Sequence, residues 1–100
     1  MEVKDKVVVV TGASSGIGKS LCERFANEGA SGIVASDIDS KGLTDTVETI
    51  ASKTEALGVV CNVGVEDEVG ALTERALDAF GHVDLSVSYT HLTLPTIYSV

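Results

Sequence analysis

Val7-Val8-Val9-Val10-Thr11-Gly12-Ala13-Ser14-Ser15-Gly16-Ile17-Gly18 decides the reading of this chain. Four consecutive valines with no polar alternation read as a strand buried on both faces. Residues 6–11 are therefore assigned to that strand, and apolar positions at helical spacing begin at Ile17. The glycines lie at the junction, and each has a physical task. Gly12 lets the chain turn sharply off the strand. Gly16 lets a diphosphate approach the backbone where a Cβ would clash, and Gly18 lets the first helix pack closely on the sheet. The N–H groups of a helix's first turn point at whatever lies before it, so strand, turn and helix together form a pyrophosphate-binding arrangement. Ser14 and Ser15 add hydroxyl donors. The spacing is G-x-x-x-G-x-G.

The rest of the chain repeats the strand-then-helix rhythm. Leu21, Phe25 and Ala26 continue the first helical stripe, and Gly29 is placed to end it. Ile33 to Ser36 reads as a second strand, followed by Asp37. Ser40 is placed to cap a second helix whose inner face carries Leu43, Val47, Ile50 and Ala51. Leu57 to Cys61 reads as a third strand. Glu66 to Phe80 reads as a third helix, with acids in its first turn, Val69, Leu72, Ala76, Leu77 and Phe80 as its stripe, and Gly81 as its stop. Val83 to Val87 begins a fourth strand. Strands alternating with helices of this length imply right-handed βαβ units, an α/β class and a parallel sheet, with strand order 3-2-1-4 expected.

One hundred residues accommodate one small domain. A formal net charge of −8 argues against general nucleic-acid or anionic-membrane binding. A phosphate would have to be held by local backbone dipoles, because the overall field repels it. Cys22 and Cys61 have no C-x-x-C spacing and read as small buried thiols in a reducing compartment. The basic-then-apolar start is too short for a signal peptide, so a cytoplasmic location is expected.

Thr11 to Gly18 resembles the cofactor motif T-G-x-x-x-G-x-G of the short-chain dehydrogenases/reductases. Asp37, Cys61-Asn62-Val63 and Phe80-Gly81-His82-Val83-Asp84-Leu85 agree with further segments of that family, so the resemblance covers residues 1–85. It implies a three-layer Rossmann-like α/β fold, here its first half, and hydride transfer between a nicotinamide and a carbonyl or alcohol carbon of a small-molecule substrate. It is compatible with a homo-oligomeric parent. In its terms Thr11 braces the turn. Gly12, Ser14, Ser15, Gly16, Ile17 and Gly18 line the diphosphate, Asp37 holds the adenosine ribose, and Asn62 and Val63 flank adenine. Asn62 stands where the family usually has Asp, and Gly64 where a Thr or Ser commonly begins the third helix. NAD is expected over NADP, because a 2′-phosphate beside Asp37 would meet a like charge. At about 4 Å and an effective dielectric near 20, each pair of unit charges costs roughly 4 kcal/mol.

The family's catalytic Tyr-x-x-x-Lys has no counterpart. The tyrosines are Tyr89 and Tyr98, and every lysine (Lys4, Lys6, Lys19, Lys41, Lys53) precedes both. The chain is therefore expected to keep the cofactor-binding part and to lack turnover. Residues 1–86 read as a truncated dinucleotide-binding domain and 87–100 as a non-native tail. The run Val87 to Thr96 matches a sequencing-library adapter read in frame as GTC TCT TAT ACA CAT CTG ACG CTG CCG ACG, and GTG TAG then gives Val100 and a stop.

Two other readings are open. A non-catalytic dinucleotide-binding module would share the same site. Ala13-x-x-x-x-Gly18-Lys19-Ser20 also resembles a relaxed Walker A phosphate loop, with Lys19 for β/γ-phosphates and Ser20 for Mg²⁺, but this leaves Gly12 and Gly16 unexplained. No metal site is expected: Glu66, Asp67 and Glu68 read as favourable charges at a helix N-terminus. His82 reads as a surface residue.

Overall fold

The computed structural model describes residues 3–14, 16–62, 65–88 and 96–99. The elements run β1 (Val7–Thr11), α1 (Gly16–Asn27), β2 (Gly32–Asp37), α2 (Ser40–Ile50), β3 (Glu55–Val60), α3 (Glu66–Phe80), β4 (Leu85–Ser88) and β5 (Thr96–Ser99). The sheet order is β3-β2-β1-β4-β5. The first four strands are parallel and follow the expected order 3-2-1-4, in register Val8↔Ile33, Ile33↔Ala56 and Val8↔Leu85.

Every residue of β1 is buried. Successive side chains of a strand point to opposite faces, and the core divides accordingly. Val8, Val10, Ile33 and Ala35 join Cys22, Phe25, Leu43 and Ile50 beneath α1 and α2. Val9 and Val34 join Val59, Leu72 and Ala76 beneath α3. The result is three layers, α1 and α2 on one side of the sheet and α3 on the other. Close helix approach is visible at Gly32, where a Cβ would lie 2.7 Å from Cδ1 of Phe80. Gly81, at φ +80°, closes α3 in the left-handed conformation, and its N–H donates to Leu77 O at 2.7 Å.

Several boundaries and faces differ from the sequence reading. The cap of α2 is Asp39, not Ser40: its side chain accepts from Gly42 N at 3.2 Å, and Ser40 is already the first helical residue. β3 starts two residues earlier than Leu57, because its ladder with β2 begins at Gly32↔Glu55, and it ends before Cys61. Ala51 is the exposed C-cap of α2 rather than part of its inner face. On α3, Leu72 and Ala76 are buried, but Val69 is 37% and Leu77 43% exposed. Periodicity identifies the stripe but not how much sheet lies under it. Thr96–Ser99 adds an antiparallel edge strand, Leu85↔Ser99 to Ser88↔Thr96, to a sheet expected to end at β4. A strand edge carries a row of backbone donors and acceptors that favours such pairing. Gly64 lies outside the described residues. Among the described residues, no helix is long and apolar enough to cross a membrane.

Asp84 fastens β4 to the start of β1. Its carboxylate accepts from Val7 N at 2.8 Å while its own N–H donates to Val7 O at 3.0 Å. The Val7 N–H is the main reason the Asp84 carboxyl lies below its ordinary value; the nearby His82 and Lys6 lower it further, against a desolvation that raises it. His82 is exposed, as read, and its Nε2 lies 3.0 Å from Asp84 Oδ2.

Candidate functional site

The C-terminal ends of β1 and β2 are neighbours, Thr11 opposite Ser36, so the loop after β1 rests beside the loop after β2. Thr11 is buried at the end of its strand. Gly12 adopts φ +72°, the left-handed turn that a side chain would disfavour. The chain then reverses, and two backbone groups lock onto β2. Ala13 N donates to Ser36 O at 2.9 Å, and Ser14 N donates to Asp37 Oδ2 at 3.0 Å. Thr46 of α2 donates its hydroxyl to Ala13 O at 2.9 Å.

Gly16 and Gly18 stand in opposite surroundings. A Cβ on Gly16 would meet nothing within 4 Å, so the start of α1 faces open space. A Cβ on Gly18 would overlap the Gly12 carbonyl oxygen and sit 3.0 Å from Ala13 Cα. Its role is therefore narrower than packing on the sheet: it lets α1 fold back onto its own entry turn. Ile17 is 52% exposed at the same helix end, a large apolar side chain beside polar backbone. Ser15 and Val63 lie outside the described residues.

Asp37 ends β2 and is half-buried. Oδ1 accepts from Asp39 N and Oδ2 from Ser14 N, both at 3.0 Å. Burial pushes its carboxyl up, but the N–H groups of Asp39, Ser14 and Ile38 outweigh that, and its pKa falls below the ordinary value. It is thus an anion at neutral pH. The Ser14 hydroxyl also donates to this carboxylate; as a rotatable donor it is one that a ligand hydroxyl can replace. Val60 pairs with Asp37 across the sheet, and Cys61 N donates to Asp37 O at 3.0 Å, which brings Asn62 to the same sheet end. Glu68 Oε1 accepts from Asn62 N at 3.0 Å and ties that loop to the first turn of α3.

The described members of the expected site therefore converge: Thr11, Gly12, Ser14, Gly16, Ile17 and Gly18 at the turn, Asp37 beside it, and Asn62 on the next strand end. Thr46, Gly42 and Glu68 were not among them. Gly42 matters because a Cβ there would lie 2.7 Å from Ser14 Cβ. Thr46 shares the inner face of α2 with Leu43 and Ile50, and a lone hydroxyl there was the available signal. Glu68 stands three residues after the cap residue Val65, the spacing from which an acid reaches back over a helix start. Cys22 and Cys61 are buried free thiols, as read. An open groove of about 200 Å³ between α2 and β3, bordered by Leu43, Val47, Gly58 and Val60, contains none of the expected site residues.

The family model described as short chain dehydrogenase matches residues 6–89. The chain belongs to that family. A hydroxy(phenyl)methyl-succinyl-CoA dehydrogenase subunit of Thauera aromatica is 34% identical over 89 residues, which is 88% of this chain and 36% of that protein. A short-chain dehydrogenase/reductase of Burkholderia phymatum, solved in complex with NAD, is 40% identical with a TM-score of 0.78, covering 83% of this chain and 30% of that one. An NAD⁺-bound xylitol dehydrogenase is 30% identical, also with a TM-score of 0.78, over 84% of this chain and 32% of its own. The chain thus spans about a third of the length of these relatives.

Proposed function

We propose that this chain is the cofactor-binding part of an NAD-dependent short-chain oxidoreductase, a protein that moves a hydride between nicotinamide and a carbonyl or alcohol carbon of a small molecule. The observation that carries this reading is the pairing of an open helix start at Gly16 with an ionised Asp37 beside the same turn. Gly12, Ser14, Ser15, Gly16, Ile17 and Gly18 would line the diphosphate, with Thr11 bracing the turn. Asp37 would accept from the adenosine ribose hydroxyls, and Asn62 and Val63 would flank adenine. Exposed Ile17 would gain cover from the bound dinucleotide. The NAD-bound relatives support the choice of cofactor.

The charge on Asp37 selects against a 2′-phosphate. Calorimetric titration of the chain with NAD and NADP tests this: NAD is expected to bind more tightly, and Asp37→Ser to narrow the gap. Equal affinities in the unmodified chain, or no binding of either, would refute the assignment.

With no tyrosine followed four residues later by lysine, these 100 residues are expected to show no dehydrogenase turnover. We further propose that residues 1–86 are native and 87–100 a translated adapter. Genomic sequencing across codon 86 decides this, and native codons for Val87 to Thr96 would overturn it.

A further inference from the structure

The residues after Gly12 are gripped by the following β-strand and helix, and the grip includes a buried side chain with no assigned role. Thr46 is fully buried. Its Oγ1 lies 2.9 Å from Ala13 O and 3.2 Å from Gly42 O, the second being the ordinary back-bond of a helical threonine. The contact to Ala13 spans 33 residues of sequence. Ala13 is itself buried, so its carbonyl has no access to water if Thr46 withdraws. Ala13 N on Ser36 O and Ser14 N on Asp37 Oδ2 hold the same two residues from β2. Gly42 permits the approach, one helical turn before Thr46.

We infer that Thr46 is a positioning residue for the dinucleotide loop: its hydroxyl holds the Ala13 carbonyl, and so sets where Ser14 and the start of α1 stand relative to a diphosphate. The inference rests on the proposed NAD site, but the clamp itself can be observed without ligand. β2 and α2 then do more than supply the ribose acid, since they fix the phosphate turn of the preceding unit.

The test compares Thr46→Val, which keeps the shape and removes the hydroxyl, with Thr46→Ser, which keeps the hydroxyl. Thr49→Val is the matched control, because the Thr49 hydroxyl donates within its own helix, to Asp45 O at 2.9 Å, on the exposed side of α2. Far-UV circular dichroism, amide hydrogen exchange at Ala13 and Ser14, and NAD titration are read on the full chain. Thr46→Val is expected to keep the fold, speed exchange of the two amides and weaken NAD binding by about tenfold, the scale of one buried carbonyl losing its partner. Thr46→Ser is expected to restore both readouts, and Thr49→Val to change neither. Unchanged exchange in Thr46→Val, faster exchange with unchanged binding, or failure of Thr46→Ser to restore would each overturn the inference. So would global unfolding of Thr46→Val, which would make the hydroxyl a support of the whole domain. If the unmodified chain binds no NAD, the cofactor reading fails, and the exchange comparison still decides whether the clamp exists.

Discussion

Exchanging each of two glycines for alanine, two positions apart on one helix, separates the fold of this site from its function. At Gly18 the added methyl would overlap the Gly12 carbonyl oxygen, 2.7 Å from its carbon and 3.0 Å from Ala13 Cα. All three atoms are backbone, so no side chain can swing aside. Overpacking of this kind costs about 3 kcal/mol at the upper end of its usual range. Alanine returns about 1 kcal/mol through its better helix propensity. The net loss for Gly18→Ala is therefore about 2 kcal/mol, a large share of the roughly 5–15 kcal/mol that holds a domain together. In a urea melt followed by circular dichroism, the midpoint should fall by about 1 M for a chain of this size. At Gly16 the same methyl meets nothing within 4 Å. Gly16→Ala should not lower the midpoint, and raises stability by at most about 1 kcal/mol through helix propensity, yet should weaken NAD binding by about tenfold, since the methyl occupies the space assigned to the diphosphate; tenfold corresponds to about 1.4 kcal/mol. The reasoning is refuted if Gly18→Ala is as stable as the unmodified chain, or if Gly16→Ala binds NAD normally.

Acid should unfold the chain partly through Asp37 and Asp84. Both carboxyls lie below the ordinary value of 3.8 in the folded chain, so each contributes stability that is present above that value and lost as pH falls through the folded pKa. Asp84→Asn should be less stable than the unmodified chain at pH 7, and the difference should shrink steadily as pH falls below 3.8; a gap that stays constant from pH 7 into strong acid would show that charge is not the cause. Cys22 offers a second check: burial, with a smaller contribution from Glu23, pushes its thiol up to about 12. It should therefore resist a thiol-reactive dye at pH 8 until denaturant is added, and rapid labelling of Cys22 in the folded chain would show that α1 does not stay packed against the sheet.

The buried strand, the glycine turn and the helical stripe were legible because each depends on residues within one helical turn or one strand. The same locality explains the errors. Ser40 and Asp39 are both good caps, and only the bond from Gly42 N to Asp39 shows which one closes the helix. Val69 and Leu77 lie on the expected stripe of α3, but no local signal reports how little of them the fold covers.

The amino-acid order alone determined that a βαβ rhythm would form, that its first turn would be glycine-lined, and that an acid would follow the second strand. Short-range spacing, backbone freedom and apolar periodicity suffice for those. Only the tertiary structure decided which glycine faces open space and which faces backbone, that Asp37 also holds the Ser14 amide, and that Thr46 reaches Ala13. These contacts join residues 23 and 33 positions apart. They exist only once packing of the valine strands brings the two strand–helix units side by side.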